Sequence, residues 1–246
     1  MLYRICSAGH SAALGYALRI LKEEGCVILP CPDKTATHLL LPVPSFGPDG
    51  QLVGGGDLEA VLSHLPKSVT VIGGNLNNPL LNGYQTIDLL QNPSYVAENA
   101  SITAYCAVGL AEKRLPVIWK HLPVLVIGWG RIGKCLALLL QQMGARVTVA
   151  ARKEADRALA DALGYQAVPT EGLSANGYRV VFNTAPEMIV PDCRGEGLYM
   201  DLASKPGLGG DNVVVARGLP GKLAPESSGR LIAHHVLTIL NKELDL

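Results

Sequence analysis

The chain of 246 residues has few aromatic side chains and no excess of charge of either sign. Only 5% of its residues are aromatic although 48% are hydrophobic, a balance typical of parallel sheets built from Val, Ile, Leu and Ala with glycine at the turns. Lys and Arg number 21, as do Asp and Glu. Proteins that bind nucleic acids or membrane surfaces usually need a basic patch, so the neutral balance argues against both and favours small-molecule partners.

Signals for export, membrane insertion and disulfide formation are also missing. No uninterrupted apolar run approaches the length of a membrane span, and the first ten residues lack the charged-then-apolar layout of a signal peptide. Six cysteines show neither C-x-x-C spacing nor the density of a secreted disulfide scaffold. We therefore expect a cytoplasmic protein with reduced thiols.

Several motifs of catalysis are absent as well. The chain has no G-x-S-x-G elbow and no P-loop, which removes the basis for a hydrolase or nucleoside-triphosphatase interpretation. It has no metal-ligand spacing, so we expect no metal site. His121, His234 and His235 stand where a surface or packed histidine is commoner than a general base.

A glycine-rich motif directly follows a short apolar run. Residues 124–133 read VLVIGWGRIG, a G-x-G-x-x-G pattern, and a helical pattern and a second apolar strand at 146–151 come next. In this context the three glycines permit a tight turn, the approach of a pyrophosphate and close packing of helix on strand, while the helix N-terminus holds the phosphates. The motif predicts a dinucleotide site formed by Gly128, Trp129, Gly130, Arg131, Ile132 and Gly133.

The residues after the second strand bear on the choice of cofactor. An NAD site usually has an acidic residue there, which binds the ribose hydroxyls, whereas this chain has Arg152 and Lys153. Both can pair with a 2′-phosphate through charge-assisted hydrogen bonds. We therefore expect NADP(H) rather than NAD(H); the alternative is that both cations simply face water.

The remaining pattern predicts an α/β fold with two domains. Short strands and helices alternate in the first hundred residues, Asn92-Pro93 interrupts the pattern, and the apolar spacing from Ser101 to Arg114 fits a helix that Pro116 ends. We expect a Rossmann-type doubly wound parallel sheet and a smaller N-terminal α/β domain, linked by a long helix. The predicted bounds are 1–98 for the N-terminal domain, 99–120 for the linking helix, 121–222 for the dinucleotide-binding domain, and 223–246 for a helix that returns to the first domain.

Further candidates follow the predicted strands, because open parallel sheets bind ligands at the carboxyl ends of their strands. Asn183, Thr184 and Ala185 follow one strand and are candidates for cofactor contacts. Ser204 and Lys205 follow the next and are candidates near the nicotinamide and substrate, although an ordinary turn explains them equally well. Further substrate candidates are Asn75, Ser101, Thr103 and Lys222; no catalytic acid or base is identified.

Several motifs, taken in order, resemble those of the dipicolinate synthase family, specifically its A subunits. The likeness is strongest from about Val124 onward and is weaker in the N-terminal part, where Thr103-Ala104 resembles part of the family's linking helix. The motifs that carry it are Val126–Gly133, Ala151-Arg152, Asn183–Pro186, Asp201–Gly207, Leu219–Pro225, Leu41–Pro44 and Gly73–Asn75.

This resemblance implies an oxidoreductase that uses a nicotinamide cofactor to oxidise a dihydrodipicolinate-type intermediate of the lysine pathway to dipicolinate for endospores. It implies a two-domain fold with a cleft between the domains and a second, flavoprotein-like subunit. The substrate is then a small dicarboxylate-like molecule, for which Lys205 and Lys222 supply cations. We also expect a homo-oligomer.

The sequence departs from the family pattern in two places. The linking helix of the family usually has Thr-Ala-Glu-Gly where this chain has Thr-Ala-Tyr-Cys at 103–106, and the early Gly-Gly-Asp pattern is represented at best by Ala8-Gly-His10. Two alternatives therefore stay open. One is an NADP-dependent reductase of the shikimate or 2-hydroxy-acid type acting on another small acid, and the other is a non-catalytic dinucleotide-binding sensor or assembly subunit.

Overall fold

The computed structural model describes residues 3–190 and 192–244. The chain divides into two compact units, of which the first comprises Met1–Asn99 and Pro220–Leu246 and the second comprises Ala100–Leu219. No helix within the described ranges is both long and apolar enough to cross a membrane.

Eleven strands and seven α-helices are described, together with short 3-10 turns at Pro79–Leu81 and Leu89–Gln91. The strands are β1 Arg4–Ser7, β2 Val27–Ile28, β3 His38–Leu40, β4 Thr70–Gly73, β5 Gln85–Asp88, β6 Pro123–Ile127, β7 Arg146–Ala150, β8 Gln166–Val168, β9 Val180–Asn183, β10 Leu198–Asp201 and β11 Val213–Val215. The helices are α1 Ala12–Glu23, α2 Leu58–Ser63, α3 Pro93–Glu112, α4 Arg131–Gln142, α5 Glu154–Ala162, α6 Leu219–Leu223 and α7 Pro225–Leu244.

The first unit is built on a five-stranded parallel sheet with the order β2-β1-β3-β4-β5. In such a sheet the strand order reverses between β1 and β3, which is where related folds bind ligands. Here the chain's own loop lies beside the end of β1: Phe46 pairs with Leu52 in an antiparallel bridge, and His10 N donates to Val53 O over 2.9 Å. A Cβ at Gly54 would lie 2.3 Å from His10 N, so main chain approaches main chain at this point.

The last helix, α7, packs against α1 in the first unit. Gly229 makes this close approach possible, since a Cβ there would lie 2.4 Å from Tyr16 Cβ and 2.6 Å from Ala13 O. The side chains of Leu231, Ile232 and Val236 on the same helix are buried. Their burial supplies most of the stabilisation that keeps an amphipathic helix on its neighbour.

The second unit contains a six-stranded parallel sheet with the order β11-β10-β9-β6-β7-β8. Numbered along this unit from β6, the order becomes 3-2-1-4-5-6, that of the dinucleotide-binding Rossmann fold. The strands β6, β7 and β9 at its centre are almost wholly buried, as expected for strands covered on both faces. The predicted fold class, α/β with a doubly wound parallel sheet of the Rossmann type and a second parallel α/β sheet, is confirmed.

Helix α3 begins earlier than the sequence pattern predicted. It starts at Pro93, where a break was expected, and not near Ser101. Proline is well suited to the first turn, because the N–H that it lacks has no partner within the helix there. Asn92 strengthens this start, since its side-chain oxygen accepts hydrogen bonds from Ser94 N and Tyr95 N at 2.9 and 3.2 Å. The short elements β8 and α6 were not predicted.

Candidate functional site

The glycine-rich segment forms a tight turn between β6 and α4. Gly128 has a φ of 98°, in the left-handed region that favours glycine. A Cβ there would lie 2.5 Å from Thr184 Oγ1, and a Cβ at Gly133 would lie 2.0 Å from Gly128 O. Both glycines are therefore required by the fold itself, before any ligand is considered.

Gly130 differs from its two neighbours in the motif. A Cβ added to it would meet nothing within 4 Å, so the fold does not demand glycine at this point. It is the N-cap residue of α4 and has no side chain that could cap the helix. The open space therefore lies at a helix N-terminus, whose first N–H groups attract a phosphate. This arrangement fits a dinucleotide pyrophosphate held by the backbone from Gly128 to Gly133, with Arg131 exposed and Ile132 half-buried beside it.

Trp129 turns its side chain into the protein. The residue is 7% exposed and packs edge-on against Tyr165, with ring centroids 5.6 Å apart. Lys134 Nζ lies 5.8 Å from the centroid of the indole ring. No group in the described part of the chain accepts a hydrogen bond from the indole Nε1. The side chain thus anchors the turn, while the main chain of Trp129 stays in the glycine-rich loop.

Arg152 and Lys153 are exposed at the end of β7. The turn that carries them is held by Arg157 on α5, whose Nη1 donates to the carbonyls of Ala151 and Arg152 at 2.9 and 2.7 Å. Arg152 Nη1 in turn lies 3.2 Å from a carboxylate oxygen of Glu187. The cation predicted to bind a 2′-phosphate therefore has an anionic neighbour in the protein.

Asn183, at the end of β9, is fully buried. Its Nδ2 donates to Ala185 O and to Asp201 Oδ1, both at 3.0 Å, and its Oδ1 accepts from Ala185 N at 3.1 Å. These bonds occupy the side chain within the loop framework, so Asn183 acts on the site by positioning the loop that begins at Thr184.

Thr184 joins this loop to the glycine-rich turn. Its Oγ1 donates to Ile127 O at 2.9 Å and its N–H to the same carbonyl at 2.8 Å. Thr184 and Ala185 are half-buried. Both therefore lie beside Gly128 at the carboxyl ends of β6 and β9, the edge of the sheet where a dinucleotide binds.

Four of the predicted substrate residues belong to the second unit. Ser204 and Lys205 are exposed in the turn that follows β10, next to Ala203, whose carbonyl accepts a hydrogen bond from Arg217 Nε over 2.7 Å. This turn shares the carboxyl edge of the sheet with the glycine-rich loop. Ser101 is half-buried and Thr103 is buried on α3.

The other two, Asn75 and Lys222, belong to the first unit. Asn75 is exposed and has a φ of 57°. It lines a cavity of about 430 Å³ at the carboxyl ends of β4 and β5, together with Phe46, Asn78, Asp88 and Gln91. Lys222 is exposed on α6.

Three residues of the second unit shape this edge of the sheet without having been predicted. They are Arg157, Glu187 and Asp201. Asp201 is 1% exposed, and its two oxygens accept from Asn183 Nδ2 and from the N–H groups of Ala203, Gly207 and Leu208 at 2.7 to 3.2 Å. The signal that could have pointed to Asp201 is a carboxylate at the end of a predicted strand; nothing in the sequence placed Glu187 beside Arg152.

Comparisons with known proteins agree with the Rossmann fold of the second unit. Residues 123–200 match the family model for pyridine nucleotide-disulphide oxidoreductase. The A subunit of dipicolinate synthase from Bacillus subtilis (strain 168) is 25% identical, with 87% of this chain and 81% of that protein covered. The chain resembles this dipicolinate synthase component.

Solved structures show the same likeness. The A subunit of dipicolinate synthase from Bacillus halodurans superposes with a TM-score of 0.82 at 21% identity, with 97% of each chain covered. The corresponding structure from Bacillus subtilis gives a TM-score of 0.79 at 21% identity, with 98% of this chain and 97% of that chain covered. At this identity the structures establish the fold. The resemblance expected from the sequence is confirmed, and the chain is similar to the A subunits of dipicolinate synthase, with a pyridine nucleotide-binding Rossmann fold of the oxidoreductase type.

Proposed function

We propose that this protein is an NADP-dependent oxidoreductase that converts a dihydrodipicolinate-type intermediate to dipicolinate. The observation that carries the proposal is the open space at Gly130, at the uncapped N-terminus of α4 and between two glycines that the fold itself requires. A phosphate in that space receives N–H groups and the positive end of the helix dipole.

The cofactor preference in this proposal rests on Arg152 and Lys153. Both are exposed at the end of β7, the position from which protein groups contact the adenosine ribose in this fold. A guanidinium forms charge-assisted hydrogen bonds with a phosphate. Arg157 positions the turn by binding its carbonyls, and we therefore assign the 2′-phosphate to Arg152.

The chemistry needs an oriented ring and an acceptor for hydride. A nicotinamide, when bound, supplies that acceptor, and a dihydropyridine ring gains aromaticity by giving up a hydride and a proton. In the proposal, Ser204 and Lys205 bind a carboxylate of the substrate, since they are exposed on the same edge of the sheet as the glycine-rich loop. The contribution of the protein is then orientation of the substrate against the cofactor.

A cytoplasmic location and a partner subunit complete the proposal. The similar protein from Bacillus subtilis is named as one subunit of its enzyme, which supports the expectation of a second, flavoprotein-like subunit for this chain. All six cysteines are free thiols, which supports a reducing compartment. The product, dipicolinate, would be made for endospores.

A non-catalytic dinucleotide-binding subunit is the second candidate. Tyr105 favours it, because this side chain is 64% exposed on α3 where the resembled family usually has a glutamate. A protein of this kind binds the dinucleotide without turning over a pyridine substrate.

Calorimetry with NADPH and NADH, repeated with dipicolinate and with the condensed lysine-pathway intermediate, tests the proposal. Tight NADPH binding that dipicolinate strengthens, together with NADP⁺-dependent formation of dipicolinate, is the expected result. Nucleotide binding that no pyridine ligand affects, without turnover, supports the second candidate. Failure to bind either dinucleotide overturns both.

A further inference from the structure

A carboxylate from another part of the chain lies beside Arg152, the residue that stands after β7 where an NAD site usually has an acid. Glu187 lies in the loop that follows β9, 35 positions after Arg152, and both of its carboxylate oxygens accept from Arg152 Nη1, at 3.2 and 3.3 Å. The side chains of Arg152 and Glu187 are 71% and 53% exposed. A ligand that approaches the guanidinium therefore meets a carboxylate beside it.

The main chain around Glu187 is held in place by the turn after β10. Gly207 has no Cβ, and one added there would lie 2.8 Å from Glu187 O and 2.2 Å from Asn183 Nδ2. The carbonyl of Gly207 accepts from Ile189 N and Val190 N at 2.9 and 3.2 Å. Asp201 holds the turn itself through the N–H groups of Gly207 and Leu208. The carboxylate of Glu187 therefore extends from a fixed backbone position.

A carboxylate and a phosphate compete for one guanidinium. A phosphate that binds Arg152 must displace Glu187 or share the guanidinium with it, and the two anions repel each other. A ribose 2′-hydroxyl carries no charge and can donate a hydrogen bond to a carboxylate. The pair therefore penalises a 2′-phosphate and tolerates a 2′-hydroxyl.

We propose that Glu187 is a specificity-determining residue that weakens the binding of NADP(H) relative to NAD(H) by occupying the guanidinium of Arg152. This inference rests on the proposed function, since it assumes that the adenosine ribose lies beside Arg152. It predicts that the preference for NADP(H) is modest in the natural protein and that a single change increases it.

Glu187→Gln is the test variant, because it removes the charge and keeps the size of the side chain. We expect its Kd for NADPH to fall by about fivefold, the scale of one like-charge contact in water, and its Kd for NADH to stay within about twofold. The fragments 2′-AMP and 5′-AMP should reproduce this difference, because only the first presents a 2′-phosphate. The gain for NADPH should shrink at high salt, since both side chains are exposed to screening.

Glu196→Gln is the matched control. Glu196 also pairs with an arginine, Arg179, at 4.0 Å and is exposed, but Arg179 precedes β9 and so lies at the opposite edge of the parallel sheet. The control should leave both dissociation constants unchanged. In an Arg152→Ala background, the gain from Glu187→Gln should be smaller than in the parent, because part of the effect acts through the guanidinium.

The outcomes separate this inference from the function on which it rests. A parent chain that binds neither dinucleotide overturns the proposed function and the inference with it. A parent chain that binds them, combined with a Glu187→Gln variant whose NADPH to NADH ratio is unchanged, overturns the inference alone. Equal tightening of both dinucleotides also overturns it, because a general loosening of the loop would produce that result.

Discussion

Asn183 donates a hydrogen bond from its side-chain amide to the Asp201 carboxylate over 3.0 Å, and both residues are buried at the ends of neighbouring strands. The contact joins the loop after β9 to the turn after β10. The loop after β9 carries Thr184 and Glu187, and the turn after β10 carries Ser204 and Lys205. One buried pair therefore positions residues proposed to contact the cofactor and residues proposed to bind the substrate.

Asp201→Asn should destabilise the second unit. An amide has one acceptor oxygen where the carboxylate has two. Its N–H₂ group would point at N–H groups that now donate to the carboxylate, so these donors would lose their acceptor. A loss of about 1–3 kcal/mol in the free energy of unfolding is expected, the cost of leaving buried polar groups without partners. Urea denaturation measures it.

The exposed Asp211, in the turn before β11, provides the comparison for this variant. Asp211→Asn should change the free energy of unfolding by less than about 0.5 kcal/mol. Equal stability of the two variants would refute the structural role given to Asp201.

Gly133→Ala and Gly130→Ala should differ in their effect on stability. The new Cβ at 133 would lie 2.0 Å from Gly128 O, so we expect a loss of stability of about 1–3 kcal/mol from overpacking. At 130 the new methyl group meets no protein atom within 4 Å, and the loss should stay below about 1 kcal/mol, the cost of alanine in place of glycine at an N-cap.

Dinucleotide binding distinguishes the role of Gly130 from a purely structural one. Gly130→Ala should weaken NADPH and NADH alike by about tenfold or more, equivalent to about 1.4 kcal/mol, because the methyl group occupies the space assigned to the pyrophosphate. Normal binding by a stable Gly130→Ala protein would show that the phosphates lie elsewhere.

Arg152→Ala should weaken NADPH more than NADH. Losing a charge-assisted contact with the 2′-phosphate is expected to raise the Kd for NADPH by about 10- to 100-fold, while the Kd for NADH changes by about threefold at most. Stability should hardly change, since the pair with Glu187 is exposed. Calorimetry measures both constants, and Arg194→Ala, which removes another exposed and paired arginine, is the control. Equal loss for the two dinucleotides would remove the 2′-phosphate role.

His38 should make the stability of the first unit fall in mild acid. Burial lowers the pKa of its imidazole below the usual value, and the carboxylate of Glu243, 3.4 Å away, raises that pKa only in part. The unfolded chain therefore takes up this proton at a higher pH than the folded protein does. The contribution of His38 to the free energy of unfolding is therefore fully present above the ordinary histidine pKa of about 6.5, and it is lost progressively as the pH falls below that value.

Urea denaturation between about pH 7.5 and pH 5.5, on either side of the ordinary histidine pKa, measures this fall. The His38→Gln variant should show a shallower fall than the parent. His10→Gln, at an exposed position, should keep the slope of the parent. An unchanged slope in His38→Gln would exclude His38 as the source.

Much of the second unit could be predicted because its signals are local. The turn at Gly128, the helix from Arg131 and the strand from Arg146 follow one another within thirty residues, and each depends on backbone conformation or on the periodicity of its own apolar residues. Pro93 shows the limit of local signals: the same Asn-Pro pair suits a chain break and the first turn of a helix. Only the packing of the helix that follows distinguishes the two.

The candidate site was predicted in part for the same reason. Segments that follow parallel strands share one edge of a sheet, so Gly128, Arg152, Thr184 and Lys205 could be assigned to that edge from their order alone. The directions of their side chains could not be predicted from this order. Trp129 points into the protein, and the Asn183 amide donates its hydrogen bonds to Asp201 and Ala185. The orientation of a loop side chain depends on the groups that neighbouring loops place beside it, and these are distant in the sequence.

The sequence alone determined the Rossmann unit, its glycine turn and the cations at the end of β7, because these depend on residues close together in the chain. Only the tertiary structure decided that Glu187 lies against Arg152, since their contact joins segments 35 positions apart through the pairing of β9 with its neighbours. A contact made through strand pairing cannot be predicted from the local sequence pattern around either residue. For that reason the proximity of the Glu187 carboxylate to Arg152 is visible only in the fold.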